Sequence, residues 1–139
     1  MPTHTLNRLE RLKGHTKIRL LFDAGEKFKV FPLTVIYLFE DRKELAQISS
    51  PLKMGVAVGT RNFKKAVDRN LLKRRIREAY RIQNTALKQQ VLASPFELSL
   101  FYIYGDNQIH EYANISMAIK KSLDKLQDLL TTKMMKNND

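Results

Sequence analysis

Arg69, Lys73, Arg77 and Arg81 recur every four residues. On a helix that interval stacks the four side chains along one face, about 6 Å apart. The repeat is comparable to the spacing of phosphates along an extended nucleic-acid strand. Asn70, Arg74 and Lys88 fall on the same arc, with Arg69 nearer its boundary. Ile76, Ala79, Ala86 and Leu87 lie within about 60° of Leu72 on the opposite side. Guanidinium groups bind phosphate bidentately, and the Asn70 amide has donors and an acceptor for a base or a sugar. Carboxylates four residues away would neutralise such a ridge, yet residues 61–81 carry nine basic groups against only Asp68 and Glu78. This chemistry is that of a polyanion site: nucleic acid or an anionic membrane surface, with a merely solvated helix face as the alternative.

Catalytic constellations are not written in the chain. It has no Cys, and His4, His15 and His110 stand outside any metal-type or triad spacing. Glu40-Asp41, Asp124 and Asp128 read as solvated charge, and Gly55 and Gly59 precede no phosphate-loop Lys. No catalytic and no metal-ligating residue is therefore expected.

The elements that must carry the ridge follow from periodicity. With 139 residues, 25 Lys+Arg and 14 Asp+Glu, the chain has a formal charge of +11 and the length of one domain. Residues 1–139 read as that domain, with 1–14 and 134–139 as its looser ends. No apolar run approaches the ~20 residues of a membrane span, and residues 1–8 contain no signal-type apolar core, so a cytoplasmic protein is expected. Thr16 to Ala24 places Ile18, Leu21 and Phe22 at helical spacing before Gly25. Phe28 to Phe39 reads as a strand with Val35, Tyr37 and Phe39 on one face, Thr34, Ile36 and Leu38 on the other, and Pro32 at a bulge or edge. Asp41 to Pro51 reads as a surface loop. Met54–Val58 and Phe96–Tyr104 are further strands. Between them, Ala66 to about Val91 reads as one long helix with Asp68 as N-cap. A final helix from about Tyr112 to Met134 buries Ile115, Ile119, Leu123, Leu126 and Leu130. The order α-β-β-α-β-α describes an α+β fold, a small two-layer α/β sandwich. Phe22 and Tyr37 could stack bases or simply fill the core.

The run Gly59-Thr60-Arg61-Asn62-Phe63-Lys64-Lys65 followed by Arg69-Asn70-Leu71-Leu72-Lys73-Arg74-Arg75-Ile76-Arg77 resembles the signature of the bacterial ribonuclease P protein subunit. The family pattern is a basic strand end followed by R-N-R-x-K-R-x-x-R on a helix. Leu71 replaces its second Arg, Gly59 and Thr60 stand where Ser and Lys are usual, and Ile18 falls where Phe is frequent. Arg8-Leu9 and Arg11-Leu12-Lys13 resemble the basic lead-in of the family, and Phe22 with Gly25 its first-helix ending. The resemblance implies a left-handed βαβ crossover, which general connection rules would not suggest. It further implies that Arg61, Lys64, Lys65, Arg69, Asn70, Lys73, Arg74, Arg77 and Arg81 contact a catalytic RNA subunit. Ile18, Phe22 and Tyr37 would line a cleft for the single-stranded 5′ leader of precursor tRNA.

On that resemblance the protein is a monomer within a ribonucleoprotein endonuclease whose chemistry is done by RNA, with Mg²⁺ bound through the RNA and not by protein side chains. Two other classes share the basic ridge. A structural, ribosomal-type RNA-binding protein would carry it without a role in catalysis. A DNA-binding regulator would also need a recognition helix and usually a dimer seam, and neither is evident in the sequence.

Overall fold

The computed structural model describes residues 11–12, 15–42 and 50–137. Arg8, Leu9 and Lys13 of the lead-in, residues 43–49 of the expected loop and residues 138–139 lie outside the described residues. The elements are α1 (His15–Ala24), β1 (Glu26–Val30), β2 (Leu33–Asp41), β3 (Leu52–Ala57), α2 (Ala66–Gln83), α3 (Thr85–Leu92), β4 (Phe96–Tyr104) and α4 (Tyr112–Asn137). Residues 134–137 belong to α4, which extends past the expected end at Met134 to Asn137.

The expected strand Phe28–Phe39 divides in two, because Phe31-Pro32 turns the chain and pairs Val30 with Leu33 across a tight hairpin. Proline has no N–H for a ladder, so a turn suits it better than the bulge or edge position expected of it. The long helix also divides. Asn84 closes α2 and opens α3 at φ −81°, ψ −2°, a bridge-region conformation that redirects the axis. The bend lets Leu87 and Val91 reach the core that Leu72, Ile76, Ala79 and Tyr80 already occupy. Lys65, not Asp68, is the N-cap of α2. Asp68 is the third helical residue, where a carboxylate still favours the positive end of the helix dipole.

The sheet order is β1-β2-β4-β3, with β3 and β4 parallel and the other neighbours antiparallel. One face packs under α2, α3 and α4: Leu33, Val35 and Tyr37 of β2, Leu52 and Met54 of β3, and Leu98, Leu100, Tyr102 and Tyr104 of β4 meet Leu72, Ile76, Ile115, Ile119, Leu123, Leu126 and Leu130. Each fully buried apolar side chain stabilises this layer by about 1.5–3 kcal/mol. On the opposite face Leu21 of α1 packs with Leu12, Ile36 and Phe101, and Ile18, Leu38, Ala57 and Ile103 close around them. The Leu12 N–H donates to Met54 O at 2.8 Å, covering part of the free β3 edge.

Gly55 on β3 is required by a close approach. A Cβ there would stand 2.6 Å from Phe101 Cε2 and 2.7 Å from Cδ2. Gly55→Ala is expected to destabilise the protein by about 1–3 kcal/mol by overpacking this face. The thermal midpoint checks it, and an unchanged midpoint would mean the Phe101 ring moves aside without cost.

Candidate nucleic-acid interface

Parallel pairing of β3 with β4 sends both strands toward the same end of the sheet, where the β1–β2 turn also lies. The β3–α2 loop, residues 58–65, therefore meets residues 105–111 and the start of α2. Phe63 anchors the loop, buried against the Tyr104 ring at 5.7 Å. Arg61, Lys64 and Lys65 remain exposed around it.

Along α2 the polar side presents Asn70, Arg74 and Arg77 to solvent, with Lys73 half-buried. None of the ion pairs among the described residues involves Lys73, Arg74 or Arg77. Cations left without carboxylate partners on a rigid helix form an unspent positive field. Two expected members of the ridge behave differently. Arg81 turns its Nε onto Glu78 at 2.9 Å, so part of its charge is used within the helix. Arg69 donates Nη1 to Phe63 O and to Lys64 O, both at 2.8 Å. Its guanidinium thus braces the loop that holds Lys64 and Lys65. Arg75, which the wheel did not assign to the ridge, ties α2 to the start of α4 by donating to His110 O at 2.6 Å.

The positive surface continues past the helix. Arg11 pairs along Met54 at the β3 edge, and burial together with the charge of Arg11 lowers the Arg77 pKa. On the α1 side of the same strand, burial and then the neighbouring Lys17 lower the Lys53 pKa. Arg11, Lys17 and Lys53 join the ridge to the face covered by α1. Their charge was visible in the sequence, but their adjacency depends on residues 11–12 lying along β3.

The expected trio of Ile18, Phe22 and Tyr37 is not brought together. Ile18 belongs to the α1-side cluster, and Phe22 is 40 % exposed with its ring 5.4 Å from Phe101. Tyr37 is on the other face, within the core beneath the long helices. Successive strand residues alternate between faces, so the β2 residues facing α1 are Ile36 and Leu38. The Tyr37 hydroxyl donates to Glu26 Oε2 at 2.7 Å, and burial followed by this carboxylate pushes its pKa up to about 12. Phe101 and Ile103 are the members of the α1 face that sequence reasoning missed. Alternation in β4 groups them, but alternation alone does not say which face α1 covers.

A paired prediction separates these roles. Tyr37→Phe should cost about 0.5–1.5 kcal/mol of stability, the net worth of one hydrogen bond, and leave RNA discrimination unchanged. Because the folded pKa is raised, the protonated phenol stabilises the fold fully below about pH 10, and that contribution is lost as pH rises through about 12. The variant should lack this alkaline loss in chemical denaturation. Phe22→Ala, by contrast, should weaken binding of leader-bearing precursor tRNA several-fold more than of mature tRNA. Equal effects on the two RNAs would place Phe22 with the core.

Among the described residues no three His, Asp or Glu side chains converge in a way that could hold a metal ion. The interface is a field of cations, so its residues do not fit a protein-held divalent ion. No helix among them is long and apolar enough to cross a membrane.

A mixed sheet that presents a braced basic loop and an unneutralised cationic helix defines a small α+β nucleic-acid-binding protein. The family model for Ribonuclease P matches residues 6–127, and the chain belongs to that family. It is 29 % identical over 136 residues to a ribonuclease P protein component of Porphyromonas gingivalis W83, covering 98 % of this chain and 96 % of that one. A ribonuclease P protein component of Picosynechococcus is 36 % identical over 76 residues, covering 55 % of this chain and 60 % of the relative. The solved RNase P protein of Staphylococcus aureus shares the fold, with a TM-score of 0.55 at 17 % identity over 86 % of this chain and 94 % of that one.

Proposed function

We propose that this chain is the RNA-binding subunit of ribonuclease P and helps a catalytic RNA remove the 5′ leader from precursor tRNA in the cytoplasm. The observation that carries the reading is the set of Lys73, Arg74 and Arg77 on a rigid helix, beside a braced loop bearing Arg61, Lys64 and Lys65. No carboxylate partner occupies the three helix cations among the described residues. Such a surface attracts RNA phosphates and reduces the mutual repulsion of two RNAs held side by side. In this reading the helix and loop bind the catalytic RNA. The α1 face, with Ile18, Phe22, Ile36 and Phe101, receives the single-stranded leader. The protein acts as one copy per ribonucleoprotein. The divalent ions that phosphodiester hydrolysis needs are bound by the RNA, and the protein lowers the Mg²⁺ concentration at which that RNA works.

The test is cleavage of precursor tRNA at low Mg²⁺ by the catalytic RNA alone, by the RNA with this protein, and by the protein alone. Stimulation confined to the mixture is expected. Binding without stimulation would leave a structural, ribosomal-type RNA-binding protein, and cleavage by the protein alone would locate the chemistry in the polypeptide.

A further inference from the structure

Phe31 stands at the tip of the β1–β2 turn with 69 % of its surface exposed, next to a proline that restricts the backbone. Its ring meets the His110 ring at 5.3 Å and 87°, so the two planes form a right-angled corner. The His110 side of that corner is fixed by several partners. Its Nε2 lies 2.6 Å from the Asp106 carboxylate, its backbone N–H donates to Tyr104 Oη at 3.0 Å, and its carbonyl accepts from Arg75. The rings line an open cavity of about 230 Å³ whose far wall is Asn114, Met117 and Lys121 of α4. That is below the ~300–1,000 Å³ of sites for drug-sized ligands and suits one planar ring system.

The cavity is at the end of the sheet that carries the basic loop. Asn62 of that loop reaches Asp106 O at 3.5 Å, and Arg75 links His110 to the cationic helix. We propose that this corner receives one unpaired nucleobase of an RNA bound along the β3–α2 loop and α2. The base stacks on Phe31, its polar edge faces the Asn114 amide, and its phosphate lies toward Lys121. A protein partner fits less well. Of the side chains that line the cavity only Phe31 and Met117 are large, apolar and exposed, well short of a stable protein interface, and Lys121 adds a positive charge in a chain of charge +11. Stacking on an exposed aromatic beside a positive track is the usual way of holding unpaired bases without sequence readout. The inference rests on the RNA-binding reading above.

The chain contains no tryptophan, so Phe31→Trp installs a single fluorophore at the corner. Titration of this variant with the cognate catalytic RNA is expected to quench its emission in step with binding measured independently by filter retention. If the base belongs instead to the leader, quenching appears only when precursor tRNA is added to the assembled protein–RNA complex and is absent with mature tRNA. Either pattern supports the site and identifies the source of the base. Phe31→Leu keeps an apolar side chain but removes the aromatic face. It should weaken binding of that RNA about tenfold, with no change in the salt slope and none in the thermal midpoint. Binding of both RNAs without any quenching would overturn the site and leave the functional reading standing. Failure of the wild-type protein to bind either RNA would overturn both.

Discussion

Replacing Lys73, Arg74 and Arg77 together by Gln is expected to lower the salt slope of RNA binding by about 2 to 3, and to weaken affinity roughly a hundredfold or more near 0.1 M salt. Each lost phosphate contact removes about 0.7 to 0.9 from the log–log dependence, and the three side chains have no carboxylate partner among the described residues to absorb their charge. The fold should survive, because the buried side of α2 is Leu72, Ile76, Ala79 and Tyr80 and none of these is touched. Binding isotherms at several salt concentrations, with circular dichroism as a control for folding, read both quantities. An unchanged slope would remove α2 from the interface.

Arg69→Ala should have a larger effect than the loss of one charge. Its guanidinium donates to two carbonyls of the loop that holds Lys64 and Lys65, so removing it frees those cations as well. The slope should fall by about 1.5 to 2.5, more than the 0.7 to 0.9 of a single contact. In a Lys64→Gln/Lys65→Gln background the same substitution should cost little. The coupling between Arg69 and the two lysines should be in the range of about 0.5–3 kcal/mol found for residues that act through one another. Additive effects with a single-contact slope would make Arg69 a direct phosphate ligand and not a brace.

These two results address the difference between a residue's type and its employment. Charge density and helical period group Arg69, Lys73, Arg77 and Arg81 on one ridge, with Arg69 nearer its edge, since all four are long cations at the same spacing. In the folded protein only Lys73 and Arg77 of the four are left without a described partner. Arg81 turns to Glu78 and Arg69 turns back to the loop. Such diversions depend on rotamers and on where a carbonyl or carboxylate happens to stand, which spacing does not encode. The boundaries at Pro32 and Asn84 were marked by residue types that disfavour strand ladders and helices. Their consequences, a hairpin and a redirected helix, followed only from what the neighbouring segments could bury.

What the sequence by itself determined is the amphipathic basic helix and the approximate positions of β3 and β4, because local periodicity and charge are properties of the chain alone. It also placed Tyr37 with Val35 and Phe39, which the structure retains. Which of the two strand faces α1 covers was decided by tertiary packing. Leu21 settles against Ile36 and Phe101, so Phe22 faces one side of the sheet and Tyr37 the other. The meeting of three loops at one end of the sheet has the same origin. Parallel β3–β4 pairing is a contact between segments about 45 residues apart, and only the burial of both sheet faces selects it.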